Sequence, residues 1–204
     1  SLHDALPIFL MAGIASTLVG CSMNQQNVTP QIQEESKKEY FQPVSFTYSG
    51  AGGTYDIVAN SPRKRAVTLS QFMTEMLLAL GLEDQIVATA LLDNPILPEF
   101  EEAYSQIPVL EVGEGHAISK EAFIASNPDF VSGWDSSISE QTTGLPDELI
   151  AKDIVPFMAK SYEGDATVET VYEDFELLGK LFNVQDRADE VIQQMKKDIK
   201  SVTD

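Results

Sequence analysis

The spacing of apolar residues changes several times along the chain, and each change predicts a different element. Residues 9–19 are almost uninterruptedly apolar. That length suits the hydrophobic stretch of a signal peptide and is too short to span a bilayer as a helix. Residues 22–40 are polar, rich in Gln, Asn, Glu, Ser and Lys, with no apolar period. Burial there cannot offset the entropy of ordering, so a flexible spacer is expected. Between Pro43 and Asn60 the period becomes two. Val44, Phe46 and Tyr48 alternate with polar residues, and so do Tyr55, Ile57 and Ala59. Ser49-Gly50-Ala51-Gly52-Gly53 divides the two runs, which predicts a β-hairpin. No Gly-Lys-Ser/Thr follows these glycines, so they read as a turn and not as a phosphate loop.

From Arg65 onward, short apolar runs alternate with helical stretches. Strands are expected at 66–69, 86–92, 107–112, around 130–131 and at 154–158. Helices are expected at 71–80, stopped by Gly81, and at 118–126, ended by Asn127-Pro128. Two more are expected at 145–152 and 167–181. The alternation predicts an α/β domain with a largely parallel sheet. In 184–202, Ala188, Val191, Ile192, Met195 and Ile199 fall at helical spacing among many charges. This is a long amphipathic helix whose apolar stripe needs something to lie against.

Composition narrows the function classes. With 43% hydrophobic residues in 204, the chain can build a core. It carries 13 Lys and Arg against 32 Asp and Glu, a formal net charge of -19. Such a surface repels phosphate backbones, so no nucleic-acid partner is expected, and it suits an extracytoplasmic protein. The single cysteine, Cys21, cannot form an internal disulfide. It ends the sequence Leu18-Val19-Gly20-Cys21, which resembles the lipobox of bacterial lipoproteins. There the signal peptide is cut before the cysteine and the thiol carries a diacylglycerol, an anchor of two acyl chains. No Lys or Arg precedes Lys37 and the first residue is Ser1. A secretory leader should begin with positive charge, so residues 1–8 are read as a foreign or truncated leader.

The residues for catalysis are missing. His3 and His116 are the only histidines, and with no second cysteine they give no zinc or iron–sulfur set. Neither an EF-hand spacing nor a Gly-x-Ser-x-Gly elbow occurs. Glu101-Glu102 reads as solubilising charge. No catalytic residue, resident metal or cofactor is therefore assigned, and an enzyme is not expected. Parallel α/β sheets bind ligands at the carboxyl ends of their strands. The loops expected there are Ser70-Gln71-Phe72, Asp93-Asn94-Pro95, Gly133-Trp134-Asp135-Ser136 and, as a weaker candidate, Lys160-Ser161-Tyr162. The one tryptophan, Trp134, either stacks on a flat or bulky ligand or closes the top of the core. These loops make a binding surface for which the residues alone name no ligand.

Several short stretches carry a resemblance. Ser61-Pro62-Arg63 leads into Ala66-Val67-Thr68-Leu69-Ser70, and Leu78-Ala79-Leu80-Gly81-Leu82 follows. Then come Leu92-Asp93-Asn94-Pro95, Ile107-Pro108-Val109-Leu110 and Asn127-Pro128-Asp129-Phe130-Val131. In order and spacing these resemble the ferric-siderophore and cobalamin class of periplasmic solute-binding proteins, from about residue 61 to the end. The resemblance implies a two-lobed receptor with a rigid connecting helix and a ligand held between the lobes. It divides the chain into a signal peptide (1–20), a lipidated cysteine and tether (21–42), an N-terminal lobe (43–183) and a connecting helix (184–204). The second lobe is expected to be missing. The implied function is an extracytoplasmic, lipid-anchored substrate-binding protein of an ABC importer, in a periplasm or on the outer face of a Gram-positive membrane. It would capture a ferric siderophore or a related metal chelate such as cobalamin or haem and deliver it to the permease. Ser70, Gln71, Asn94 and Trp134 are the expected ligand-facing residues. Glu75, by its match to the family's acidic position in the first helix, is expected to dock onto permease arginines. The alternative is a lipoprotein scaffold whose terminal helix pairs with another chain.

Overall fold

In the computed structural model, β1 (Val44–Gly50) and β2 (Gly53–Ala59) form the expected hairpin, with Val44 opposite Ala59 and Gly50 opposite Gly53. The period of two places Val44, Tyr48, Ile57 and Ala59 in the core. The structure describes residues 40–50, 52–114 and 117–203, all within the unit Glu39–Asp204. The expected signal peptide, the lipidation site Cys21, nearly all of the tether, and His116 lie outside the described residues.

The second sheet is parallel throughout. It comprises β3 (Ala66–Leu69), β4 (Ile86–Thr89), β5 (Phe130–Gly133) and β6 (Val155–Phe157), in the order β4-β3-β5-β6. Every residue of β3, β5 and β6 is buried. Strands covered on both faces read as near-continuous apolar runs, here broken by the buried Thr68 and Ser132, which is why these short segments were legible. The helices are α1 (Gln71–Ala79), α2 (Glu101–Tyr104), α3 (Lys120–Ala125), α4 (Pro146–Ile150), α5 (Val168–Phe182) and α6 (Gln185–Thr203).

Two expected strands are shorter than their apolar runs. β4 ends at Thr89, and Leu91 takes a left-handed backbone (φ 60°) that leads the chain out of the sheet. The run at 107–112 contributes one parallel bridge, Thr89 to Val109, with Thr89 N–H donating to Pro108 O and Leu110 N–H donating to Thr89 O, both 2.9 Å. Pro108 has no N–H to extend the ladder. The helix expected at 118–126 begins at Lys120, because Ser119 caps it and Ile118 bridges to Val112 instead. α2 had no counterpart in the apolar pattern.

Aromatic packing ties the hairpin and α5 to the sheet. Phe157 of β6 lies 6.1 Å from Phe46 and 5.8 Å from Phe130, and Phe130 meets Phe182 edge to face at 5.0 Å. Thr68, Thr74 and Thr89 are fully buried and satisfy one another, with hydroxyl separations of 2.8–3.1 Å. That triangle fixes α1 against β3 and β4. At the opposite end of the sheet, the Asp129 carboxylate accepts from Lys64 N–H and Arg65 N–H and sets the start of β3. Arg63, 1% exposed, donates to Ser61 O and Asp153 O, and its own N–H is satisfied by Leu181 O.

The stripe of the terminal helix finds its partner in α5. Asn183 ends α5 with φ 59°, and a Cβ on Gly179 would come within 2.6 Å of Ala188 Cβ, so this crossing requires glycine. Ala188 and Ile192 are buried, whereas Ile199 and Val202 at the far end of α6 are 39% and 82% exposed.

Candidate functional site

The chain leaves β3 toward β4 on one side and later returns to β5 on the other. The loops after β3 and β5 therefore part company at the carboxyl edge, the place where open α/β sheets form a crevice. Gly133 makes the strands meet closely there. A Cβ on it would lie 2.6 Å from Leu69 Cβ and 2.7 Å from Leu69 O. No larger residue fits without moving β3 from β5.

Trp134 follows that glycine and packs edge to face against two other rings. Phe72 lies 5.3 Å away at 73° and Tyr162 5.0 Å away at 75°, both edge to face. Phe72 and Tyr162 are stacked on each other, 6.1 Å apart and 7° from parallel. Trp134 comes from the segment after β5, Phe72 from the first turn of α1, and Tyr162 from the segment after β6. Tyr162 is held in place by a buried acid: Asp174 of α5, 2% exposed, accepts from Lys160 N–H and Ser161 N–H at 2.9 Å each. Burial pushes the Asp174 carboxyl up, against the opposing pull of those backbone N–H groups.

Beside the rings opens a cavity of about 440 Å3, lined by Leu91, Asp93, Trp134, Ser136, Gln141 and Thr142 among others. Its wall at 136–144 is a self-bonded loop. Thr142 Oγ1 donates to Ser137 O at 2.7 Å, Thr143 Oγ1 donates to Ser137 O at 3.1 Å, and Gly144 N–H donates to Ser139 O at 2.9 Å. The left-handed Leu91 lies on the facing wall. Strain of this kind collects where a loop is held in one functional geometry. The arrangement suits a bulky ligand with a flat or apolar portion over the rings and polar groups toward the hydroxyls.

The sequence-derived site residues fall into different places. Trp134 lines the cavity. Ser70 is fully buried and caps α1, its Oγ accepting from Met73 N–H at 3.4 Å, so its oxygen faces the helix. Gln71 and Glu75 form a strap. Gln71 Nε2 donates to Glu75 Oε1 (3.0 Å) and to Pro95 O (3.1 Å), and Leu97 N–H donates to the same Glu75 oxygen (2.9 Å). The strap fastens α1 to the loop carrying Asn94, which is exposed and outside the cavity lining. Sequence reasoning named Phe72, Tyr162 and Ser136 only within carboxyl-end loops and did not select them, or the hydroxyls of 137–142, as ligand contacts. Those expected loops were the available signal for Phe72, Tyr162 and Ser136, although Phe72 lies in the first turn of α1; the hydroxyls of 137–142 carry no motif.

Among the described residues, no group of three or more His, Cys, Asp or Glu is placed to hold a metal ion. No described helix is long and apolar enough to cross a membrane.

Comparison with known proteins gives the fold its family. "Uncharacterized ABC transporter substrate-binding lipoprotein YvrC" of Bacillus subtilis (strain 168) is 24% identical over 188 residues, which are 92% of this chain and 54% of the relative. The crystal structure of a periplasmic binding protein from Veillonella parvula DSM 2008 superposes with a TM-score of 0.71 at 30% identity, covering 79% of this chain and 53% of that one. A structure described as an ABC-type Fe3+-hydroxamate transport system, from Saccharomonospora viridis DSM 43017, gives a TM-score of 0.59 at 27% identity, covering 77% and 55%. The chain thus spans about half the length of these relatives. Residues 67–204, from β3 to the end of α6, match the family model described as periplasmic binding protein. The chain belongs to the periplasmic binding protein family.

Proposed function

We propose that this chain is the ligand-facing N-terminal lobe, with its connecting helix, of a substrate-binding lipoprotein that serves an ABC importer outside the cytoplasmic membrane. Its ligand is a ferric siderophore or a related metal chelate, cobalamin and haem being the neighbouring chemistries. Trp134 is its principal ligand contact, joined by Phe72 and Tyr162, and Glu75 meets the permease. Cys21 carries the lipid anchor. Ser70 acts through the α1 cap and Gln71 through the strap, so neither is retained as a direct contact; Asn94 is retained as a contact at the rim.

The observation that carries this reading is the aromatic trio beside an open, hydroxyl-lined cavity at the switch point of a parallel sheet. The relatives support it, one being a substrate-binding lipoprotein by name and another an Fe3+-hydroxamate system. The test is uptake of radiolabelled iron chelate by cells lacking the gene. Restored uptake on reintroducing the complete gene is expected, and Cys21→Ser should reduce it by releasing the protein from the membrane. Uptake indifferent to the gene across hydroxamate, catecholate, haem and corrinoid ligands would remove the transport role.

A further inference from the structure

The loops around the cavity share an unusual charge pattern. No Lys or Arg occurs between Arg65 and Lys120, nor between Lys120 and Lys152. Those intervals contain every loop leaving the carboxyl ends of β3, β4 and β5. They hold Asp93, which lines the cavity together with Trp134, and also Asp135 and Glu140, which lie outside its lining. The neighbouring cations are already matched: Lys120 Nζ lies 2.7 Å from Glu148, and Lys160 Nζ lies 2.7 Å from Glu173. The arginines of the domain core serve the other edge of the sheet. Arg63 is bound to Ser61 O and Asp153 O, and Arg65 to Asn127 O and Ser126 O. Asp93 itself is exposed at the cavity mouth.

We propose that this face of the cleft selects chelates that are neutral or positively charged overall and rejects polyanionic ones. The inference rests on the cavity being the ligand site. An anionic chelate loses hydration on entering and meets the Asp93 carboxylate, with no unmatched Lys or Arg among the described residues of these loops. A neutral ferric trihydroxamate loses nothing to repulsion, and one with a pendant ammonium gains from Asp93. At about 8 Å and an effective dielectric of about 40, each unit of ligand charge changes affinity roughly fivefold. Aromatic rings add attraction for a cationic arm, since their faces are electron-rich. Ferric tris-catecholates, with three negative charges, fall on the rejected side, and so does haem with its two propionates.

Calorimetric titration of the protein with three probes tests this. The probes are a neutral cyclic ferric trihydroxamate, a monocationic linear one and a trianionic ferric tris-catecholate. Both hydroxamates are expected to bind at least about tenfold more tightly than the catecholate. Asp93→Lys, at an exposed position, should narrow or invert that ratio with an unchanged melting temperature, and Asp93→Asn should fall between. Tightest binding of the trianion, or a ratio insensitive to Asp93→Lys, would overturn the charge selection and leave the receptor reading standing. Binding of none of the three, nor of haem or a corrinoid, would overturn both.

Discussion

Trp134 and Tyr162 meet edge to face, with ring centroids 5.0 Å apart and planes at 75°. One ring follows β5 and the other follows β6, so the contact couples two loops at the carboxyl edge. Tyr162 is 44% exposed, and removing it should not unfold the domain. An aromatic pair of this geometry contributes about 0.5–1.5 kcal/mol. Tyr162→Ala should therefore weaken chelate binding by about threefold to tenfold and shift Trp134 emission to the red. Unchanged affinity and emission would show that the trio plays no part in the site.

Glu75 is predicted to separate docking from binding. Its Oε1 accepts from Gln71 Nε2 and Leu97 N–H, which orients the carboxyl on the flank of α1, away from the cavity lining. Glu75→Arg should abolish uptake in cells while chelate affinity of the purified protein stays within about twofold. Glu75→Gln keeps an oxygen acceptor for Leu97 and serves as the control for the strap. Normal uptake by Glu75→Arg would end the docking role.

Gly133→Ala should destabilise the fold by about 1–3 kcal/mol, because the added methyl has no room beside Leu69. The shift lies at the switch point, so chelate affinity should fall together with the urea midpoint. A variant as stable as the parent would mean that β3 and β5 separate at no cost.

Tyr48 makes stability depend on alkaline pH. Burial first, then the charge of Asp135 and the presence of Tyr55, push its hydroxyl up from 10.0 to about 12. Between those values the folded protein holds this proton and the unfolded chain does not. The stabilisation is intact below pH 10 and is lost as pH rises toward 12. Tyr48→Phe should lose less stability across that interval than the parent, measured by urea unfolding at each pH. Equal losses in both would contradict the assignment.

The parallel sheet was legible because its strands are buried on both faces: Ala66–Leu69 and Phe130–Gly133 are short, mostly apolar runs in which only Thr68, Ser132 and Gly133 intervene. The hairpin was legible for the opposite reason, its strict alternation. Residues 107–112 misled, since an apolar run with a proline near its start looks like a strand, yet forms only two isolated bridges, Val109 to Thr89 and Val112 to Ile118. At the site, Trp134 was readable as the only tryptophan at a strand end. Ser70 was read as ligand-facing from its position, although a serine just before a helix is also the commonest cap, and burial decided for the cap. Asp174 could not be seen to position Tyr162, because that contact joins a helix to a loop through backbone N–H groups that no side-chain pattern reports.

The most direct measurement is Trp134 emission during titration of the purified protein with a ferric trihydroxamate. Trp134 is the one tryptophan of residues 1–204, so emission from this lobe reports the site. Saturable quenching at micromolar chelate, shifted about threefold to tenfold toward higher chelate in Tyr162→Ala and weakened by Asp93→Lys for a cationic chelate, is the predicted result. Emission unchanged through the titration, with hydroxamates, corrinoids and haem alike, would contradict the claim that this lobe holds the ligand.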